Sequence, residues 1–446
     1  MALELDAQVI ISALVLASLP FILHQILVRQ RPGDPPLHKG WIPYYGVSRE
    51  LDQNPEKLLA RLHKKYGDIF DVWTNGARMT ICFDILEAVP SMYRNTKQMD
   101  FHDFEVRLHS PVFGYPVEYR DNPDLQKEIH DLTNVYSIKA GNVKLMTEEF
   151  TVAFDKLLHQ SIREKGTEFV TDMRDWARYL MYAATCKALF GQHFPAEEEQ
   201  MFRDFLAWEW DFVNMAKHKP MKKIQKGWDA RERIFKRISE DMAVHEDKVT
   251  DFIKTRIQIH KKYGYEPTSR GFASGMLQLI FAGTANTLPT SFWYLSIALS
   301  DPRYTKMLRE RIALYVKSDE LSSASFDYQG LTNDPILTSF FSEVLRLKAS
   351  VWGFRLCIED AILPVGGKEY FFKKGTTIWV PVPIVHRDEE IYEKPQEFEP
   401  NRFLKVEDGK MTKKVMFKKN GKLTRLHICH SAVESLWYSN LGIGLI

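Results

Sequence analysis

Apolar positions recur at three- to four-residue spacing through most of the stretch from about 124 to 315, which predicts helices over 142–164, 170–190, 197–216, 228–261 and 271–300. Nearer the start, NPEKLLARLHKKYGDIFDVWT reads as an amphipathic helix from Pro55 to Lys65, a stop at Tyr66-Gly67 and a strand-like run from Ile69 to Trp73. Residues 76–84, GARMTICFD, read as its partner strand. Strand signals return at 356–382, where Gly366-Gly367 and Gly375 punctuate short hairpins. The predicted fold is mainly α, with a small β portion drawn from both ends of the chain.

A different pattern opens the sequence. From Gln8 to Val28 there is no Asp, Glu, Lys or Arg in twenty-one residues, about the length a helix needs to cross the hydrocarbon core of a membrane. Glu4 and Asp6 precede this run while Arg29, Arg31 and Lys39 follow it, so the positive-inside rule places the body of the protein in the cytosol. An acidic start and the lack of a small-x-small site argue against a cleaved signal peptide. The expected organisation is a transmembrane anchor over residues 1–30, a spacer over 31–46 stiffened by Pro32, Pro35, Pro36 and Pro43, and one large body without an internal linker. Within that body MFRDFLAWEWDFVNM (201–215) is dense in aromatics and KHKPMKKIQK (217–226) in lysine. Their ordinary reading is a core stripe followed by a solvated face; beside an anchor they also suit an entrance for apolar molecules at the bilayer.

Composition adds limits. At 446 residues and 45% hydrophobic the chain can bury a large core, and 60 Lys plus Arg against 58 Asp plus Glu give no electrostatic case for nucleic-acid binding. Cys82, Cys186, Cys357 and Cys429 match no zinc spacing or disulfide framework, which fits a reducing compartment.

Three stretches carry candidate chemistry. LQLIFAGTANTLPTSFWYLSIALSDP (277–302) is apolar nearly all round, yet Thr284, Asn286, Thr287, Pro289 and Thr290 sit in its middle. Pro289 has no N–H for the carbonyl of Ala285 and its ring pushes that carbonyl aside, so a groove with a free carbonyl, an amide and a hydroxyl should open there. Such a groove suits ordered water or a small ligand with its protons; an ordinary kink satisfied by the threonines is the other reading. In ILTSFFSEVLRLKAS (336–350), Glu343 and Arg346 share a helix face, and Phe340, Val344, Leu345 and Leu347 around them favour burial, which demands further partners. In VHRDEEIYEKPQEFEPNRFL (385–404), His386, Asp388, Tyr392, Pro395, Phe398, Pro400, Arg402 and Phe403 follow no periodicity.

An E-x-x-R helix followed by HRD, Tyr, Pro and F-x-P-x-R-F in this order closely resembles the cytochrome P-450 family of haem-thiolate monooxygenases. The resemblance spans nearly the whole chain and implies that family's fold with an N-terminal membrane helix, haem as cofactor, an NADPH-dependent reductase as partner and the endoplasmic reticulum membrane as location. It implies a structural triad of Glu343, Arg346 and Arg402, and Arg355 as a haem-propionate holder, with Lys127 and His130 standing in for a missing W-x-x-x-R. The 277–302 helix matches the oxygen-activating helix, but GTANT puts Asn286 at the acidic position and Thr287 at the threonine. The pattern Ala285, Asn286, Thr287, Pro289 is similar to the sterol 7α-hydroxylase and prostacyclin synthase branch. A proton-passing Thr287 leans toward hydroxylation of an apolar, sterol-like or lipid substrate, while an isomerase would need no reductase.

The tail departs from the family. Its thiolate loop reads F-x-x-G-x-x-x-C-x-G, whereas around Cys429, the only candidate ligand, Lys422, Arg425 and Ser431 stand at the Phe and Gly positions. A frame shifted by one base through His427 to Glu434 can encode Y-M-P-F-G-G-G, the start of the expected loop. The expectation is therefore a cytochrome P-450 body over 47–422 lacking its C-terminal part, an aberrant tail over 423–446, and, as an alternative, an inactive chain that cannot hold haem through a thiolate.

Overall fold

The computed structural model describes residues 18, 19, 22, 26, 28–100, 102–138, 140–166, 168–317, 326–349, 352–407, 410–412, 417–419 and 422–424. They fall into two compact units, one chiefly from residues up to 101, 350–396 and 416–428, the other chiefly from 102–349 and 397–415. Each unit is discontinuous in sequence, which is why no linker composition marks a boundary.

The strands of the first unit include β1 (Leu37–His38), β2 (Ile69–Thr74), β3 (Ala77–Cys82), β4 (Met99–Asp100), β5 (Gly353–Cys357), β6 (Ala361–Val365), β7 (Lys368–Phe372) and β8 (Thr377–Val380), besides a short hairpin of Phe417–Lys419 with Lys422–Thr424. Six form a sheet in the order β1-β2-β3-β8-β5-β4, and β6 and β7 form a separate hairpin, so the β portion does come from both ends of the chain. β2 turns into β3 through Asn75 and Gly76, at φ 49° and 78°, the left-handed pair that matches strand twist in a two-residue hairpin. Helix α1 (Pro55–Tyr66) starts where Asn54 Oδ1 accepts from the Lys57 amide (3.0 Å) with Pro55 in its first turn, and stops at Gly67.

The proline-rich stretch 31–46 is not a detached spacer. Leu37 and His38 pair parallel with Asp71 and Val72, and the Trp73 indole N–H donates to the Pro43 carbonyl at 2.6 Å. Gly46, at φ 55°, lies so close that a Cβ there would sit 1.8 Å from the Trp73 carbonyl oxygen. Prolines, which cannot donate, are tolerated at this outer edge of the sheet.

The second unit is helical. Its main helices are α2 (Pro123–Ile138), α3 (Ala140–Lys165), α4 (Met173–Phe190), α5 (Glu199–Ala216), α6 (Met221–His245), α7 (Asp251–Lys262), α8 (Arg270–Thr284), α9 (Thr287–Ser300) and α10 (Pro335–Lys348). Phe205, Trp208, Ile234, Phe272, Met276 and Ile280 belong to one buried core shared by α5, α6 and α8. Two expected long helices are divided. The stretch 228–261 breaks because Thr250 caps α7, accepting from the Ile253 amide (3.4 Å) while donating to the Leu189 carbonyl (2.6 Å). The stretch 271–300 breaks at Ala285 and Asn286.

Among the described residues no helix is long and apolar enough to cross a membrane. The anchor expected over 1–30 falls largely outside them, as does Cys429 with most of the 423–446 tail.

Candidate active site

Helix α10 is launched by Asp334, whose Oδ1 accepts from the amides of Ile336 and Leu337 at 2.9 Å, with Pro335 in the first turn. Two turns on, Glu343 and Arg346 are wholly buried and face the same side. Glu343 Oε2 accepts from Arg346 Nε (2.7 Å), and Oε1 accepts from Arg346 Nη2 (2.8 Å), Arg402 Nε (2.9 Å) and the Glu399 amide (3.0 Å). Both guanidiniums also donate to the Glu397 carbonyl at 3.1 Å. A buried ion pair repays its desolvation only with such extra partners, and here one carboxylate and one carbonyl gather two cations. Ser339, a residue sequence reasoning passed over, completes the clasp. Its hydroxyl donates to the Pro400 carbonyl (2.6 Å) and accepts from the Phe403 amide (3.1 Å), fastening 397–403 to α10.

At the helix interruption Pro289 leaves the Ala285 carbonyl without its usual donor. The chain still turns: the Ala285 amide donates to Phe281 (2.8 Å) and the Thr290 amide to Asn286 (3.1 Å). Thr284 and Thr287 hydroxyls donate back to the carbonyls of Ile280 (2.5 Å) and Gly283 (2.9 Å). Ala285, Asn286 and Thr287 are half-buried, and the Asn286 side chain has no hydrogen-bond partner among the described residues. The break thus combines a satisfied kink with a free side-chain amide and a hydroxyl whose proton has one local acceptor.

Aromatic rings gather on the same segment. Phe281 stacks on Phe212 at 4.7 Å and meets Phe113 and Trp208 edge-on at 5.7 and 5.6 Å. The inner stripe of α5 is therefore core, with the Trp208 indole donating to the Val112 carbonyl (3.1 Å), while Trp210 and Val213 on its outer side are exposed.

Arg355 on β5 is 4% exposed; its guanidinium lies 4.1 Å from the centre of the Tyr93 ring and donates to its neighbour's carbonyl at Phe354 (2.9 Å). Burial pulls its pKa below the ordinary arginine value, and among the described residues no carboxylate lies within ion-pair distance. A buried cation for which Asp100 and Tyr93 only partly offset desolvation fits an anionic group such as a haem propionate. Lys127 and His130, by contrast, lie on the exposed face of α2, where Lys127 is paired with Asp131 at 2.8 Å. The described cysteines are poor thiolates: burial pushes the Cys186 thiol far up and the Cys357 thiol up to about 12, and Cys82 is buried in β3, while Cys429 lies outside the described residues.

The family model for cytochrome P450 matches residues 35–418. Cytochrome P450 7B1 of Mus musculus is 26% identical over 411 residues, covering 90% of this chain and 79% of the relative. The 7-alpha-hydroxycholest-4-en-3-one 12-alpha-hydroxylase of Homo sapiens is 26% identical over 418 residues, 89% of this chain and 80% of the relative. The 24-hydroxycholesterol 7-alpha-hydroxylase of Homo sapiens is 24% identical over 396 residues, 86% and 80% of the two.

Proposed function

Because the chain belongs to the cytochrome P450 family, we propose that it is a haem-dependent monooxygenase that hydroxylates a sterol-like substrate, using dioxygen and electrons from an NADPH-dependent reductase. The observation that carries this is the interruption between α8 and α9, where Thr287 Oγ1 sits beside a helix break with its proton on the Gly283 carbonyl. Haem bound through a cysteine thiolate supplies the oxygen-activating chemistry and Arg355 would hold one of its propionates. The protein's own part is then positioning and proton supply. Thr287 Oγ1 can release its proton and regain one, and the free Asn286 amide can order the water that returns it. Glu343, Arg346 and Arg402 touch no substrate; they hold 397–403 in place. The exposed Lys127 and His130 take no part.

The human relatives are named for hydroxylating 7-alpha-hydroxycholest-4-en-3-one and 24-hydroxycholesterol, both hydroxylated sterols. Membrane attachment at the endoplasmic reticulum belongs to the same proposal. It is supported by the uncharged run from Gln8 to Val28 and by the exposed Trp41, Ile42, Tyr44 and Tyr45 that follow it, residue types that settle at a bilayer interface.

One experiment tests this: the full chain is expressed with haem supplied, and the absorbance difference of the reduced protein with and without carbon monoxide is recorded, alongside sterol turnover with and without reductase. A thiolate-type band that Cys429→Ala abolishes, with turnover that needs the reductase, is the expected result. Turnover without reductase would replace hydroxylation by isomerisation. Absence of bound haem would mean that the departures at Lys422, Arg425 and Ser431 leave the chain without a working ligand loop.

A further inference from the structure

A second cluster lies in the helical unit among residues to which the monooxygenase chemistry assigns no part. Asp241 and His245 are one turn apart on α6, and His193 comes from the loop after α4. His245 Nδ1 lies 3.1 Å from Asp241 Oδ1, and His193 Nε2 lies 3.2 Å from Asp241 Oδ2. One donor atom from each of the three residues falls within 4.8 Å of the other two.

The ordinary account is a His–Asp–His hydrogen-bonded clasp, and the i, i+4 pair alone would deserve it. The other half does not behave that way. His193 Nε2 and Asp241 Oδ2 are close yet not aligned for a hydrogen bond, and both are buried without any hydrogen-bond partner. Leaving two buried polar atoms unsatisfied costs roughly 1–3 kcal/mol each. Two donors on one tetrahedral zinc stand about 3.3 Å apart, close to the separations at both histidines.

The surroundings hold the geometry. Gly191, at φ 117°, ends α4 and turns the loop so tightly that a Cβ there would lie 2.9 Å from the His193 ring and from the Lys248 carbonyl. Lys187 pins the same loop through the carbonyls of Gln192 (2.8 Å) and Phe194 (3.1 Å). The two nearby cations are already neutralised: Lys187 by Glu197 (2.8 Å), Arg237 by Glu198 (2.5 Å). The Asp241 side chain is 3% exposed, whereas that of His245 is 30% exposed and gives an ion a way in from solvent.

We propose that His193, Asp241 and His245 form a binding site for one divalent transition cation of the zinc type, tying the 191–198 loop to the C-terminal end of α6. Two imidazoles and a carboxylate suit zinc better than calcium or magnesium, which prefer all-oxygen shells. A fourth position is left for water.

The test uses the full-length protein, stripped of metal and titrated with zinc chloride in competition with a chromophoric chelator. X-ray absorption of the loaded protein follows. One equivalent should bind, with only nitrogen and oxygen neighbours at about 2.0–2.1 Å. His245→Ala, at the most exposed of the three positions, should leave the circular dichroism unchanged and weaken binding at least tenfold, and zinc should raise the melting temperature of the parent and not of this variant. Asp241→Asn should abolish binding; if it fails to fold, the absorption spectrum of the unaltered protein still decides. A sulfur shell would move the site to the His427, Cys429 and His430 tail and overturn the proposal, as would an undiminished affinity in His245→Ala or no bound zinc at all.

Discussion

Replacing Glu343 by Gln is nearly isosteric and removes the one negative charge that two buried guanidiniums share. In the native protein the carboxylate accepts four hydrogen bonds, two of them from Arg346, whose side chain is 0% exposed, and one from Arg402, at 9%. A glutamine keeps one oxygen, able to serve Arg402 and the Glu399 amide, but turns an NH2 group toward Arg346 Nε, donor against donor. The two guanidiniums then lose the carboxylate charge they share, while their bonds to the Glu397 carbonyl remain. Breaking a buried pair by removing one partner costs about 3–5 kcal/mol, a large share of the roughly 5–15 kcal/mol that holds a typical protein folded. Urea unfolding followed by far-ultraviolet circular dichroism measures this, since a fall in midpoint at constant slope isolates stability. The second arm is Glu343→Gln combined with Arg402→Met. Removing one stranded cation should recover part of the loss, so the double variant should be more stable than the sum of the single changes by at least about 1 kcal/mol. A loss below about 1 kcal/mol, the range of exposed ion pairs, would refute the claim that the triad is dry and mutually dependent.

Three further outcomes follow from the same structure. His260 is buried, its Nδ1–H donating to the Arg256 carbonyl and its Nε2 accepting from the Tyr119 hydroxyl, both at 2.6 Å, and burial with the Arg256 charge lowers its pKa to about 3. The folded state therefore stays unprotonated where the unfolded state, with its pKa near 6.5, takes up a proton, so stability falls as pH drops from about 6.5 toward 3. Unfolding free energies measured at pH 6 and 5 should decline by up to about 1.4 kcal/mol per pH unit more than in His260→Gln, a difference in which the titration of the buried Asp71, raised to about 6, cancels; equal slopes would refute it. Arg355→Met removes a buried cation whose desolvation Asp100 and Tyr93 only partly offset, so the haem-free protein should be as stable as the parent or more so while haem retention on gel filtration falls; a destabilised haem-free protein would make Arg355 merely structural. Thr287→Ala removes the proton-bearing hydroxyl, and NADPH consumption should shift from hydroxylated product toward peroxide, with substrate binding unchanged; a preserved ratio of product to NADPH would remove Thr287 from proton supply.

What could be read from the sequence depended on how far apart in the chain the interacting atoms lie. The Glu343–Arg346 pair and the freed carbonyl of Ala285 were legible because both are consequences of a single helical turn, spacing putting two side chains on one face and the missing N–H of Pro289 leaving one carbonyl without its donor; that the helix is divided at Ala285 and Asn286 was not. The β2–β3 hairpin followed in the same way from short alternating runs flanking Asn75-Gly76. Arg402 joined its partners only through the resemblance, since nothing local links it to a helix that ends at Lys348. The long apolar period across 228–261 concealed a helix end, because periodicity reports which face is buried and does not mark where one helix stops and Thr250 caps the next. The pairing of Leu37 with Asp71 lay beyond the same limit, as prolines at a sheet edge read like prolines in a spacer. His193 is the sharpest case. D-x-x-x-H at 241–245 marks one helix face with two metal-competent groups, but the third arrives by way of the Gly191 turn, and it is the mismatch of His193 Nε2 with Asp241 Oδ2, a fact of tertiary placement alone, that separates a cation site from an ordinary ion pair.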